Sequence, residues 1–303
     1  MCFIIPIIHI TPIIPIKLIA MPYQLPLSAT SRRQFEFEVK HLADSLNFGG
    51  DPSRFLGSGL EYAQSRPYEP GDPVKAIDWR VTARTGKPFI KEYEATRQVP
   101  IYLLVDTSAS MCVSSQPLSK YEWAVRLAAG LARAAQERMS PVGLLAAGER
   151  DLRITPTLST SSAMQWAHQL RLYDFHERTS LSLRLRTLAA ALKNRTMVVV
   201  LSDLHEPDAL PALELLATSH EVIVLWLEDP AEAQAPPRGI FRAREAETGQ
   251  RLIITRRTRL KTHERIRHAL VDGGIEFLHL PIEEPILPRV RHFLKYRKSL
   301  GHA

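Results

Sequence analysis

The sequence predicts an α/β protein built on a mostly parallel sheet flanked by helices. Three observations carry that prediction. The run Ile101-Tyr102-Leu103-Leu104-Val105 is apolar, β-prone and uninterrupted, as expected of a strand covered on both faces. Two further runs of the same kind occupy 197–201 and 221–227. Segments with helical apolar spacing separate these runs, which is the alternation of βαβ units.

Taken in order, the chain begins with a strongly apolar stretch, residues 1–20. Pro6, Pro12 and Pro15 break any helix there, and His9 and Lys17 interrupt the span. A membrane-crossing helix needs about 20 helical apolar residues, and a signal peptide needs a basic start and a small-residue cleavage site. Neither pattern is present, so 1–30 is expected to be a disordered extension or a misplaced start upstream of Met21. Residues 31–47 predict an amphipathic helix, with Ser31 as its cap and Phe35, Val39, Leu42 and Leu46 on one face. From 57 to 99, glycines, short β-prone pieces and paired charges alternate, and Pro70-Gly71 suits a tight turn. We expect 31–99 to form a helix plus a β-rich elaboration, with Trp79 buried against the core.

The core, 100–230, continues with a helix over 120–139 and an edge hairpin from 142–147 and 152–155. Helices follow at 161–172 and 180–193, and a further helix at 209–218 lies between the two later apolar strands. Past Asp229 comes a loop rich in Pro and Ala. Residues 231–303 then complete the domain with a hairpin turning at Glu247-Thr248-Gly249, a helix over 262–271, a strand over 274–280 and a last helix over 287–298.

Composition bounds the function. The chain has 303 residues, 45% apolar and 23% charged, with a formal charge of +7, which is ordinary for a globular protein with a basic surface. The positive charge is densest at 251–267 and 289–298, where only Phe293 and Tyr296 are aromatic. That is thin for a base-stacking platform, so nucleic acid is disfavoured. Cys2 and Cys112 make neither a disulfide framework nor a zinc spacing, which favours a reducing, cytoplasmic setting. Cys112 is expected to be a small packing residue.

The chemistry concentrates at strand ends. The first core strand stops on Asp106-Thr107-Ser108-Ala109-Ser110, and the strand at 197–201 stops on Ser202-Asp203. In open α/β sheets ligands bind at that end of the strands. If the two strands are neighbours, Asp106 and Asp203 meet there with Ser108 and Ser110 between them. Thr179, in the loop before the helix at 180–193, could add a fifth oxygen, though Thr179 and Ser180 would serve equally as caps of that helix. Carboxylates and hydroxyls without thiolate or imidazole form a hard-oxygen set suited to one Mg²⁺ or Mn²⁺. His205 and Glu206 are read as plain loop residues. No Gly-x-Ser-x-Gly elbow or phosphate-binding glycine loop is present, and no general base stands beside a nucleophile.

With these residues assembled, the chain resembles the von Willebrand factor A-like domains, which are Rossmann-like. Asp106, Ser108 and Ser110 resemble their metal-ion-dependent adhesion site, Asp203 the late aspartate and Thr179 the loop threonine. Glu177-Arg178 stand where that family usually has Gly-Gly. The segments Arg66-Pro67-Tyr68-Glu69-Pro70-Gly71-Asp72, Ile77-Asp78-Trp79-Arg80 and Thr82-Ala83-Arg84-Thr85-Gly86-Lys87 resemble the signature of the bacterial family known as domain of unknown function fifty-eight. That resemblance implies a cytoplasmic, non-enzymatic, metal-dependent adaptor or assembly factor, often encoded beside a MoxR-type AAA+ ATPase. Asp72 and Asp78 among Arg66, Arg80, Arg84 and Lys87 then read either as an ion-pair network fixing the layer to the core or, with Trp79, as a docking surface for the ATPase. Two other functions stand as alternatives, the first on the same carboxylates. One is a Mg²⁺- or Mn²⁺-dependent phosphoesterase, and the other a peripheral nucleic-acid or membrane binder working through the basic C-terminal third.

Overall fold

The apolar runs pair side by side because each must hide two faces. In the computed structural model of the chain, which describes residues 32–47, 60–72, 74–95, 100–148, 152–171, 180–233, 241–244, 251–254, 256–283 and 285–296, six strands form one sheet. They are β3 (Ile101–Val105), β4 (Val142–Ala146), β5 (Arg153–Thr157), β6 (Met197–Ser202), β7 (Glu221–Glu228) and β10 (Glu276–Pro281), in the order β10-β7-β6-β3-β4-β5. All neighbours are parallel except β4 and β5, the edge hairpin. The mostly parallel α/β architecture read from the sequence is therefore the architecture observed.

Alternation along the strands divides the core in two. Leu103, Val105, Val199, Leu201, Ile223 and Leu225 face one cluster, and Leu104, Val198, Val200, Val222 and Val224 face the other. Helices α1 (Arg32–Asn47), α4 (Lys120–Glu137), α5 (Thr160–Arg171) and α10 (Ile286–Tyr296) cover the first face. Helices α6 (Leu181–Ala191), α7 (Ala209–Ala217) and α9 (Arg256–Asp272) cover the second.

The N-terminal helix belongs to this packing. Phe35, Val39 and Leu42 of α1 are buried against α4, each contributing about 1.5–3 kcal/mol by removal from water. The approach is close because α4 presents Gly130: a Cβ there would stand 1.9 Å from Leu42 Cδ2. The Arg171 guanidinium lies 4.4 Å from the centroid of the Phe35 ring, on the polar rim of the same contact.

The segment before the core corrects two expectations. β1 (Leu60–Pro67) and β2 (Phe89–Ala95) do pair antiparallel. Between them, however, α2 (Trp79–Thr85) is helical where β structure was expected. It has no buried side chain and is held by its ends. Asp78 caps the N-terminus, accepting from the amides of Arg80 and Val81, and Gly86 closes the C-terminus at φ 69°. Trp79, expected to be buried, is 68% exposed, because the first residue of this peripheral helix turns away from the sheet pair. Of the expected ion-pair network, the described residues show one fork: Arg66 grips Asp72 through two bonds of 2.7 Å. Asp78 is engaged in capping and in a bond from the Ser65 hydroxyl.

Elsewhere the predicted elements stand with ends moved by a few residues, apart from the helix at 262–271, which starts earlier, as α9. The C-terminal hairpin is β8 (Phe241–Arg244) with β9 (Arg251–Ile254), and its turn lies outside the described residues. Two short helices have no signature in the apolar pattern, α3 (Ala109–Cys112) and α8 (Pro230–Ala233). Among the described residues, no helix is long and apolar enough to cross a membrane.

Candidate metal centre

The chain runs from β3 to β4 and β5 on one side, then returns to β6 on the other side of β3. Strand order thus reverses beside β3, and such a reversal opens a crevice at the carboxyl ends of the strands. Parallel pairing sets Val105 opposite Leu201, so Asp106 and Ser202-Asp203 leave adjacent strands together. Asp106, Ser108, Ser110 and Asp203 all meet here, each no more than 2% exposed. Thr179, the remaining predicted ligand, lies outside the described residues.

Each side chain is aimed by a local device. Asp106 Oδ1 accepts the Ser108 amide at 3.0 Å, and Oδ2 accepts the Ser202 hydroxyl at 2.6 Å. Ser108 begins α3 without capping it. Its hydroxyl lies 2.9 Å from that of Ser110, so two oxygens with lone pairs to spare face the crevice. Asp203 is followed by Leu204 in the left-handed region at φ 55°. For a buried Leu this costs about 1–3 kcal/mol, a strain characteristic of functional turns. The turn is held by the Leu204 amide donating to Ser202 Oγ at 2.9 Å.

The sequence gives no sign of the cation already present. Lys120, first residue of α4 and wholly buried, donates to Asp203 Oδ2 at 2.8 Å and to Glu232 Oε1 at 2.5 Å. An ammonium at a helix N-terminus opposes the macrodipole, and these two carboxylates offset that cost. His205 Nδ1 lies 2.7 Å from the same Asp203 oxygen, a close charge contact whose angle falls short of a hydrogen bond. Glu206 is more than a loop residue, because it accepts the Ser182 amide and hydroxyl at the start of α6. Ser180 turns instead to the Gly148 carbonyl. The opposite wall is fastened by Asp229, which accepts from the Ser115 amide at 2.7 Å and from both the Ser114 and Ser115 hydroxyls.

The electrostatics are uneven. Burial would raise the Asp203 carboxyl, but His205 and Lys120 hold it well below the usual range. Burial lowers the affinity of Lys120 for its proton, yet Asp203 and Glu232 more than restore it. His205 behaves alike, raised by Asp203 against its burial. Among the described residues, no cation pairs with Asp106 in this way. Burial and the Asp203 charge push it up to about 6, despite bonds from Ser202 and Ser108. Burial pushes the Cys112 thiol up as well, which fits packing and not nucleophilic duty.

A divalent ion fits this donor set. Three carboxylates, Asp106, Asp203 and Glu232, face one ammonium and the His205 imidazole. The surplus negative charge lies at Asp106 and the two serine hydroxyls, which are hard oxygen donors. Asp203 Oδ2 is taken by Lys120 and His205, so its Oδ1 is the oxygen left for the crevice; that oxygen accepts only a 3.3 Å bond from the His205 amide.

Fold and site together define an α/β domain with an acidic, hydroxyl-lined crevice at the switch point of its sheet. The chain belongs to the family described as Protein of unknown function DUF58, whose model matches residues 64–271. The uncharacterized protein Rv1480 of Mycobacterium tuberculosis is 29% identical over 235 residues, covering 74% of this chain and 72% of that one. The uncharacterized protein YeaD of Bacillus subtilis is 32% identical over 80 residues, 26% of this chain and 20% of that one. A crystal structure of an uncharacterized membrane-spanning protein from Vibrio fischeri shares 14% identity. It covers 65% of this chain and 97% of that one at a TM-score of 0.21, which carries no argument about the fold.

Proposed function

We propose that the chain is a non-enzymatic, metal-dependent protein-binding module of the von Willebrand A-like kind, acting as an adaptor or assembly factor with a MoxR-type AAA+ ATPase. One observation supports this reading above the others: Asp106, Ser108 and Ser110 converge on the crevice with a buried negative charge that no side-chain cation among the described residues pairs with directly. One Mg²⁺ or Mn²⁺ would be held by Asp106, Ser108 and Ser110, with Asp203 behind them and Thr179 as a further candidate. The ion would supply a coordination position for an acidic side chain of the partner. The surface around Arg66, Asp72, Asp78, Trp79, Arg80 and Arg84 is the candidate docking face. An exposed Trp on a short helix that also carries Arg80 and Arg84 has the composition of an interaction hot spot.

The test is a thermal melt of the wild type and Asp106→Ala with Mg²⁺, with Mn²⁺ and with chelator, followed by binding to the ATPase under the same conditions. Ligand at about 100 times its dissociation constant adds roughly 2.7 kcal/mol. For a domain of this size that raises the midpoint by about 5–11 °C. The rise and the metal-dependent association should both vanish in Asp106→Ala, whereas Trp79→Ala should lose association and keep the rise. A wild type indifferent to metal, or ATPase binding unchanged in Asp106→Ala, would refute the reading.

A further inference from the structure

A second cluster of ligating side chains lies on the α9 face of the sheet, outside the crevice. β7 ends on Trp226-Leu227-Glu228, and the parallel register sets His279 of β10 beside Trp226. His263 comes from α9. Glu228 Oε2 lies 2.6 Å from His279 Nε2 and 3.6 Å from His263 Nε2. Both imidazoles therefore present the same ring nitrogen to one carboxylate oxygen, and the three ligand atoms lie within 4.8 Å of one another.

Trp226 forms the wall behind them. Its ring centroid is 4.4 Å from that of His263 and 4.7 Å from that of His279, and the two imidazoles meet edge to face at 5.0 Å. Aromatic contact fixes both rings, as a metal site requires of its ligands. The outer side is open: the side chains of His263 and His279 are 39% and 28% exposed, while that of Glu228 is only 10% exposed.

We propose that Glu228, His263 and His279 form a binding site for a borderline divalent transition metal of the Zn²⁺ class. Bonds of about 2.0–2.1 Å in tetrahedral geometry separate neighbouring ligand atoms by roughly 3.3 Å. The observed 2.6 and 3.6 Å from Glu228 to the two imidazoles bracket that value. Two imidazoles and a carboxylate suit Zn²⁺, Co²⁺ or Cu²⁺ and serve Mg²⁺ poorly, which separates this site from the oxygen donors Asp106, Ser108 and Ser110. Three protein ligands leave a fourth position for water or for a donor from a bound molecule. The proposal stands whether or not the crevice binds Mg²⁺.

The experiment uses the full chain without an added histidine tag, stripped of metal and titrated calorimetrically with ZnCl₂ in excess MgCl₂. The wild type should bind one Zn²⁺ saturably at micromolar or tighter affinity. His263→Gln and His279→Gln should each weaken binding by at least 10–100-fold, because even outer-shell changes have effects of about that size. Asp106→Ala should leave it intact. Absence of saturable binding, or binding unchanged in both histidine variants, overturns the proposal. Should a variant melt early, the wild type decides by itself. Co²⁺ bound here quenches Trp226 fluorescence, and Trp226→Phe removes the quenched component; emission insensitive to Co²⁺ overturns the proposal equally.

Discussion

Replacing Lys120 by Met tests the centre most directly, because it keeps the volume of a buried side chain and deletes only its charge. The ammonium is inaccessible to solvent and is 2.8 Å from Asp203 and 2.5 Å from Glu232. Removing one partner of a buried pair costs about 3–5 kcal/mol, since the other charge is left without compensation. Here two carboxylates lose a partner, which puts the expectation at the upper end. At about 2–4 °C per kcal/mol for a domain of this size, the midpoint in chelator should fall by about 10–20 °C. Arg133→Met is the control. Its pair with Glu137, at 2.9 Å, is partly exposed and spaced i,i+4, worth only about 0.3–0.5 kcal/mol. The assay is a set of melts that includes Lys120→Met with Asp203→Asn, and the double variant should be less destabilised than the sum of the two single ones. Divalent metal should also restore more stability to Lys120→Met than it adds to the wild type, because the competing ammonium is gone. A drop no larger than the control's would refute the reasoning, for it would mean that Lys120 is not held in a dry pocket between carboxylates.

Two further outcomes follow from features already described. Asp106 binds its proton more tightly folded than unfolded, with its carboxyl raised from 3.8 to about 6. In chelator the wild type should therefore lose stability as pH rises from about 4 to 6, by at most ~3 kcal/mol. Asp106→Asn should not show that fall in denaturant melts across this window, and equal slopes in both proteins would contradict the assignment. Gly130→Ala places a methyl 1.9 Å from Leu42 Cδ2 and should lower stability by about 1–3 kcal/mol through overpacking. Adding Leu42→Val should return part of that loss, and a melt in which it does not would place the strain elsewhere.

How much of the molecule is legible in its sequence depends on whether a residue's environment is local. β3, β6 and β7 are legible because strands covered on both faces must be apolar at every position. Once these strands are neighbours, the meeting of Asp106 and Asp203 follows, since both lie just past their apolar runs. α2 escapes for the opposite reason. It buries nothing, so no apolar period marks it, although Asp78 before it and Gly86 after it are its signal. The exposure of Trp79 escapes with it, because a large aromatic ordinarily seeks cover. Lys120 gives no sign at all. A Lys opening a helix reads as a solvated charge, and its partners lie 83 and 112 residues further on. Glu232 is hidden in a Pro- and Ala-rich stretch too short to show periodicity. His263 and His279 sit on different elements without a ligand spacing; the register of β10 against β7 brings His279 near Glu228, and the packing of α9 brings His263.

The fastening of the crevice has a consequence for the order in which the molecule assembles. Its ties are Lys120 to Asp203, Lys120 to Glu232, Ser202 to Asp106 and Ser115 to Asp229, and they join residues 83 to 114 positions apart. Ties of such long range are slow to close, and each requires segments from the ends of β3, β6, β7 or α4 to be brought together beforehand. They therefore belong to the descent after the rate-limiting step. Cutting one should leave refolding speed almost unchanged and accelerate unfolding instead. The crevice thus acts as a closing seal on a sheet that has already formed, and the lifetime of the native state is governed where the binding chemistry lies.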